Sequence, residues 1–400
     1  MKEPIWITGA GIISAIGLDQ HETLDALLHG RTGIGEMHYL QSEHREFPVG
    51  EVKLSDEALC KRLGIASGTP TIRTALLGMA ALEEALAEAR LTSEELPRAA
   101  FVSGTTVGGM DQSERYYPDF LNNDSRNVYI AMHDCGASTE LIADRFGRFG
   151  FVATPSTACS SAINAIIMGV NLIRSGAFDV VVAGGSECLT KFHLNGFNAL
   201  MILDREPCRP FDATRAGLNL GEGAAYVVLE KASSARKRGV EACATLDGWG
   251  NHCDAFHQTA SSPEGEGAFL AMREALDEAS LAPEAVDYIN AHGTGTPNND
   301  ASESAALKRL FGDRVPPVSS TKSFTGHTTS ASGAIETVIC LQALRHQFLP
   351  VNLNWNHPMP DGIRPVVESS PRREIRHVLC NSFGFGGNDS SLLLSKIQEP

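Results

Sequence analysis

The chain has 400 residues, is 42% hydrophobic and 20% charged, and carries a formal net charge of −15. That length allows two domains, or one large duplicated one, around a substantial core, and the composition is that of a globular protein. The acidic balance argues against general nucleic-acid binding, and no apolar run is long enough to span a membrane. The nine cysteines are an odd number with no paired CxxC, so they read as reduced thiols in a cytoplasmic protein and not as a disulfide scaffold or a zinc site.

The N-terminus enters a strand-like run at once, Ile5-Trp6-Ile7, which leaves no signal peptide to be read. Gly9 and Gly11 follow as a glycine turn. A dinucleotide fingerprint would need a third glycine where Ser14 stands. Ile72 to Leu91 reads as an Ala- and Leu-rich amphipathic helix. Strand 99–102 follows and ends in Ser103-Gly104-Thr105. Residues 111–135 are polar and read as loop and short helix. Strand 151–153 leads into Ser156-Thr157-Ala158-Cys159-Ser160-Ser161 and then into the apolar helix 162–173. Strand 180–183, the loop Arg209-Pro210-Phe211-Asp212, the turn Gly221-Glu222-Gly223 and strand 225–229 complete the first half.

The second half repeats the rhythm. Strand 287–290 ends in His292-Gly293-Thr294-Gly295-Thr296, and Lys322-Ser323-Phe324-Thr325-Gly326-His327 leads into the apolar helix 334–344. The turn Gly384-Phe385-Gly386-Gly387 precedes strand 391–394. Alternating strands and helices imply βαβ units with buried sheets. A repeat this long is a duplicated domain, 1–238 and 239–400, with no linker between the halves and a site at their junction.

Small-residue turns in both halves present reactive side chains. Cys159 falls at the start of a buried helix, where unpaired N–H groups and the helix dipole favour thiolate. On its own it is either a reactive thiol or a buried structural cysteine. His292 and His327 are either assisting groups or hydrogen-bonded loop residues. As a metal pair they lack a third ligand at helical spacing, so no metal is expected. Together, Cys and His suit nucleophilic acyl transfer, with backbone N–H groups of the 381–389 turn stabilising an oxyanion. The remaining histidines, His193 and His252 among them, read as surface or core filler. The charged clusters 230–236 and 303–309 read as solvated helix faces.

In this order, Thr157-Ala158-Cys159-Ser160-Ser161, His292-Gly293-Thr294-Gly295-Thr296-Pro297, Lys322 to His327 and Asn381-Ser382-Phe383-Gly384-Phe385-Gly386-Gly387 resemble the β-ketoacyl–acyl carrier protein synthases, in their elongating branch, nearly end to end. The resemblance implies an α/β, duplicated thiolase-like fold, layered α-β-α-β-α, with two mixed five-stranded sheets around a central helix layer. It implies Cys159 as acyl-accepting nucleophile. His292 and His327 would promote malonyl decarboxylation, Lys322 would order the polar network, and Glu336 would be its partner. Thr294 and Thr296 would support them. Backbone N–H groups of Cys159 and Phe385 would form the oxyanion hole. Phe383 and Phe385 would gate the acyl pocket, with Val107 and Phe197 in its wall.

The implied reaction is a decarboxylative condensation of malonyl-acyl carrier protein with the acyl group on Cys159, without metal or redox cofactor. The implied partners are acyl carrier protein and a second subunit, identical or related, with no nucleic acid and no membrane insertion. An acidic carrier would dock on a local basic patch, for which Lys61, Arg62 and Arg126 are the candidates. Four departures from the family pattern stand out. Phe324 replaces the usual Met. Thr328-Thr329-Ser330-Ala331-Ser332-Gly333 replaces a mostly apolar turn. Asn388-Asp389 stands where Thr-Asn is common. His133 and Asp134 fall in a region that is mostly apolar in relatives and lines the dimer interface near the acyl tunnel. Buried polar groups there would need partners, which suggests a polyketide or polyene chain instead of a saturated one. The rivals are a degradative thiolase, which would carry a second cysteine in the 381–389 turn, and a chain-length partner subunit, which would lack Cys159.

Overall fold

The computed structural model describes residues 3–368 and 374–397. Ten strands form one mixed sheet in the order β3-β2-β4-β5-β1-β6-β10-β9-β7-β8. They are β1 (Ile5–Ser14), β2 (Ala99–Gly104), β3 (Phe151–Ala153), β4 (Val180–Glu187), β5 (Gly223–Lys231), β6 (Ala244–Cys253), β7 (Tyr288–Asn290), β8 (Val318–Ser319), β9 (His377–Gly384) and β10 (Asn388–Ser395). Counted within each half, the order is third, second, fourth, fifth, first both times. The directions match as well. The second strand is parallel to the third and fourth, and the fifth is antiparallel to the fourth and first. The expected five-stranded sheets are therefore present and duplicated. They are also joined, because Trp6 pairs with Thr245 and Ile7 with Ala244.

Strand periodicity builds the layers. Successive side chains point to opposite faces, so β2 sends Ala100 and Val102 to one core and Ala99 and Phe101 to another. In the same way β10 sends Leu392 and Leu394 inward and Leu393 outward. The inner core holds two helices, Ser161–Arg174 and Ser332–His346. Helix Arg73–Glu88 covers the outer face of the first half, and helices Glu266–Ala279 and Pro297–Phe311 cover that of the second. This is the α-β-α-β-α arrangement.

The first turn is a correction. Gly9 and Gly11 lie within strand β1, not in a turn after it. A Cβ on Gly9 would come within 2.5 Å of the Ala85 carbonyl oxygen, and one on Gly11 within 2.0 Å of that of Ala81. The glycines let helix 73–88 lie directly on the strand.

Candidate active site

The site lies where the two halves meet, and each half supplies equivalent segments. Between β3 and β4, Ala158 adopts φ 53 just before Cys159. This left-handed conformation is affordable for a small residue and marks a strained turn. The helix then starts at Ser161. Ser161 Oγ accepts from the Thr157 N–H at 2.8 Å and donates to the Ala158 carbonyl at 2.7 Å, which closes the turn. Between β8 and β9, Lys322 opens a one-turn helix, Lys322–Thr325, and His327 follows it. The backbone of His327 is pinned to residues 219–221: its N–H donates to the Asn219 carbonyl at 2.7 Å, and its own carbonyl accepts from Gly221 at 2.9 Å.

His292 is held differently. Its N–H and that of Gly293 donate to the Glu303 carboxylate at 2.9 and 2.8 Å. Glu303 is 1% exposed. It was expected on a solvated helix face and instead anchors the histidine loop from inside. Glu230, in the other charged cluster, is likewise buried, bonded to Ser234 and Arg238. Helical charge clusters look alike in sequence whether they face water or a neighbouring loop, and here the packing of a second layer decides.

These elements converge. His327 Nε2 lies 3.2 Å from Cys159 Sγ. Cys159 Sγ and one ring nitrogen from each of His292 and His327 all lie within 4.8 Å of one another. The two imidazoles meet edge to face, their centroids 5.3 Å apart. Behind them Lys322 Nζ lies 3.3 Å from His292 Nδ1 and 2.5 Å from Glu336 Oε1. Ser382 Oγ donates to the Cys159 carbonyl at 2.8 Å, and Phe385 follows on the cavity wall. The trio would also satisfy a soft cation, since the fold supplies Cys159 as the third ligand that sequence spacing withheld. A cation there would occupy the thiol.

The electrostatics reverse one expectation. Burial pushes the Cys159 thiol up to about 11, outweighing the Lys322 charge and the Phe385 N–H that pull it down. The resting group is a thiol, not the thiolate that its place before a helix suggested. Both histidines are held well below their usual value by burial and then by Lys322. A neutral imidazole beside a neutral thiol can take its proton during reaction. Burial also pushes Glu336 up to about 7 against the pull of Lys322, and Glu336 Oε2 has no hydrogen-bond partner among the described residues.

A cavity of about 310 Å³ opens onto Cys159, His292 and His327 and is walled by Phe197, Phe383 and Phe385, with Thr294 and Thr296 also in its lining. The Phe197 and Phe385 rings stack with centroids 5.8 Å apart.

The beta-ketoacyl synthase N-terminal domain matches residues 2–235, and the C-terminal domain of the same enzymes matches 243–356. The chain belongs to the β-ketoacyl synthase family. Two curated relatives share its whole length. The 3-oxoacyl-[acyl-carrier-protein] synthase 2 of Coxiella burnetii is 34% identical over 99% of each chain. Nodulation protein E of Rhizobium meliloti is 35% identical over 99% of this chain and 100% of its own. Among solved structures, the ishigamide ketosynthase/chain length factor superposes with a TM-score of 0.92 at 30% identity and covers 100% of both chains. The protein is thus a condensing acyltransferase of the ketosynthase type with a thiolase-like fold.

Not every expected pocket residue belongs to this ketosynthase cavity. Val107 is buried in the outer core of the first half. His133 and Asp134 are exposed on this chain, and His133 Nδ1 meets Ser113 Oγ at 2.6 Å. None of the three borders the cavity at Cys159. Lys61, Arg62 and Arg126 are exposed and stand away from the cavity wall. Among the described residues, no helix is long and apolar enough to cross a membrane.

Two residues escaped the sequence reading. Glu187, at the end of β4, is fully buried and accepts from Thr105 Oγ1 at 2.7 Å, the Thr106 N–H at 2.9 Å and Thr329 Oγ1 at 2.8 Å. It ties the segment carrying His327 to the first half. His193, read as filler, is 8% exposed, and burial holds its imidazole below the usual value against the pull of Glu187. Its ring meets Phe197 edge-on at 5.8 Å. The signal available for Glu187 was its place at a strand end after Gly184-Gly185. His193 offered none.

Proposed function

We propose that Cys159 takes an acyl group from an acyl carrier protein thioester and that His292 and His327 then drive decarboxylative condensation with malonyl carrier protein. The convergence of Cys159, His292 and His327 on one cavity carries this reading. His327 Nε2 accepts the thiol proton as sulfur attacks the thioester carbonyl. The N–H groups of Cys159 and Phe385 hold the oxyanion, a contribution of about 10²–10³ in rate per donor. The carrier thiolate leaves with the proton from His327. Malonyl thioester then binds in the same cavity beside His327 and loses CO₂, while neutral His292, whose Nδ1 faces the Lys322 ammonium, donates from Nε2 to the enolate oxygen. The carbanion attacks the acyl-Cys159 carbonyl, and collapse of that adduct releases 3-oxoacyl carrier protein and the Cys159 thiolate, which takes one proton from water to restore the thiol.

Lys322, paired with Glu336, sets the orientation of His292. Phe383, 5.7 Å from the His292 ring, and Phe385 act as the gate, with Phe197 as wall. Thr294 and Thr296, bonded to each other at 2.9 Å, line the approach. Residues 1–238 and 239–400 are the two structural halves, in keeping with their equal strand order. The enzyme works in the cytoplasm.

A related second subunit is the arrangement favoured by the likeness to a ketosynthase/chain length factor, and His133 and Asp134 then face that partner across the tunnel. In that assembly this chain is the reacting subunit, because its thiol and both histidines are in place. Intact-mass analysis of the chain after exposure to octanoyl carrier protein tests the reading. A mass gain of one octanoyl group on Cys159, and 3-oxodecanoyl carrier protein on adding malonyl carrier protein, is the expected result. An unmodified Cys159 in folded protein would refute it.

A further inference from the structure

The turn at Phe385 is fastened to the nucleophile on both sides, and one fastener belongs to this chain's own sequence. On the β9 side, Ser382 Oγ donates to the Cys159 carbonyl at 2.8 Å. On the β10 side, Asn388 Oδ1 accepts from Ser160 Oγ at 2.7 Å, Asn164 Nδ2 at 2.6 Å and Asn251 Nδ2 at 3.0 Å. Ser160 Oγ also lies 2.8 Å from the Thr157 carbonyl, and Asn164 Nδ2 lies 2.8 Å from Thr157 Oγ1. The amide oxygen of Asn388 therefore grips Ser160, next to Cys159, and the first turn of its helix, and reaches Thr157 only through Ser160 and Asn164. Asn164 Oδ1 in turn accepts from Ser390 Oγ and Asn251 Nδ2, both at 3.0 Å, extending the network along β10 and β6.

Between these two fasteners lies the hairpin tip 385–387, whose Phe385 N–H must meet a reacting oxygen beside Cys159. Asn388 pairs with Gly384 across the hairpin, so its side chain sets the height of that tip above the sulfur. A Cβ on Gly384 would lie only 3.0 Å from the Thr157 carbonyl oxygen. The backbones are already in close approach, and a small shift of either registers at the oxyanion donors. A threonine, which is common here in the family, carries one hydroxyl on a shorter stem in place of the longer amide, whose oxygen meets Ser160, Asn164 and Asn251.

We infer that Asn388 is a positioning residue that holds the Phe385 N–H over Cys159, acting through Ser160 and Asn164 and not on substrate. The inference rests on the proposed acyl-transfer reading. It separates the two halves of the reaction. Acyl transfer to and from Cys159 uses the oxyanion donors, whereas loss of CO₂ from malonyl carrier protein relies on His292 and His327, which this network does not touch.

The test compares wild type, Asn388→Ala and Asn388→Asp in the full chain. Single-turnover acylation of Cys159 by octanoyl carrier protein and steady-state malonyl decarboxylation are followed separately. Asn388→Ala is expected to slow acylation about 10- to 100-fold, the scale of a misplaced reacting group. The carrier-protein KM and the decarboxylation rate stay within about twofold of wild type. Asn388→Asp keeps an acceptor oxygen for the three donors and is expected to restore acylation to within about threefold. Acylation by Asn388→Ala at the wild-type rate would overturn the inference, and so would acylation and decarboxylation falling together. If Asn388→Ala does not fold, an Asn388→Asp variant that folds but acylates as slowly as Ser160→Ala overturns it as well. Wild-type chain that fails to acylate would instead refute the acyl-transfer reading itself.

Discussion

The segment between β3 and β4 and the segment between β8 and β9 occupy the same place in the two halves, yet they are built for different work. The first is short. Thr157 to Ser160 turn directly into a helix, and the single chemical group presented is a thiol. The second spends residues 320–331 on a one-turn helix, a polar loop and a short 3₁₀ turn before its helix begins at Ser332. It presents Lys322 and His327, and Glu336 from the helix itself. Duplication brings the two helices side by side in one core, so a nucleophile from one copy meets proton-handling groups from the other. Neither half holds the constellation alone. That division gives the largest expected effect. Cys159→Ala should abolish acylation by intact mass and cut condensation by about 10³-fold or more, while leaving malonyl decarboxylation measurable, because its histidines come from the other half. Loss of both activities in a folded variant would break the division.

The second segment also carries the costlier electrostatics. Lys322 and Glu336 are 1% and 3% exposed in their side chains. Lys322→Met leaves Glu336 unpaired in the core, with an expected loss of about 3–5 kcal/mol in denaturant unfolding. Glu336 titrates higher in the fold than in the unfolded chain, so the folded state holds a proton that the unfolded one has released. Its cost therefore grows as pH rises from about 4 to 7 and levels off above. Lys322→Met should raise that upper limit and widen the window. Lys322→Met combined with Glu336→Gln should recover much of the loss. A Lys322→Met variant as stable as wild type at pH 8 would show that the pair does not bind the segment.

Much of this was legible in the sequence. Four small-residue turns fixed which side chains would be presented, because thiol, imidazole and glycine in such turns have few other uses in combination. The Lys322–Glu336 pair was legible through the family pattern. What failed were properties that depend on what lies above a residue. Cys159 has the local setting of a thiolate, but burial outweighs the helix terminus. Glu303 has the local setting of a surface charge, but a second layer covers it. Gly9 and Gly11 have the setting of a turn, but a helix packed 2.5 Å or less from their virtual Cβ positions keeps them in a strand. Val107, His133 and Asp134 were placed at the cavity by analogy, yet they border none of it on this chain.

The reversal at Cys159 offers a sharper test of how the two segments cooperate. With the thiol at about 11, alkylation by iodoacetamide should climb about tenfold per pH unit between 7 and 10. If neutral His327 removes the proton as proposed, acyl transfer should change by less than about threefold over pH 7–9. Parallel rises in both rates would mean that the two segments do not share the proton.

A smaller effect is expected where β10 begins. Burial, and then the charge of Asp254, push Asp389 up to about 8. The sign follows from proton counting. Between about pH 4 and 8 the folded chain keeps a proton on Asp389 that the unfolded chain has lost, so this residue contributes less stability as pH rises through that window. Asp389→Asn removes the loss. Its melting temperature should match wild type near pH 4 and exceed it by roughly 2 °C or more at pH 8. An advantage of equal size at both pH values would mean that packing, not titration, sets the difference.

The smallest expected effect lies outside both segments, at the exposed end of helix Asp56–Arg62. An acidic chain that must receive an acidic carrier needs positive charge near the approach path, but rim charges act mainly on encounter. Lys61→Glu combined with Arg62→Glu should raise the carrier-protein KM about three- to tenfold at low salt, with kcat unchanged, and the gap should close as ionic strength shortens the screening length to about 8 Å or less. Neither side chain touches the cavity, so a fall in kcat would point to misfolding. An unchanged KM at low salt would move docking elsewhere, and Arg126, whose guanidinium lies 5.1 Å over the Tyr116 ring, is the next residue to reverse. In the proposed reaction docking delivers the thioester, and the meeting of Cys159 with His327 across the two halves then decides whether it reacts.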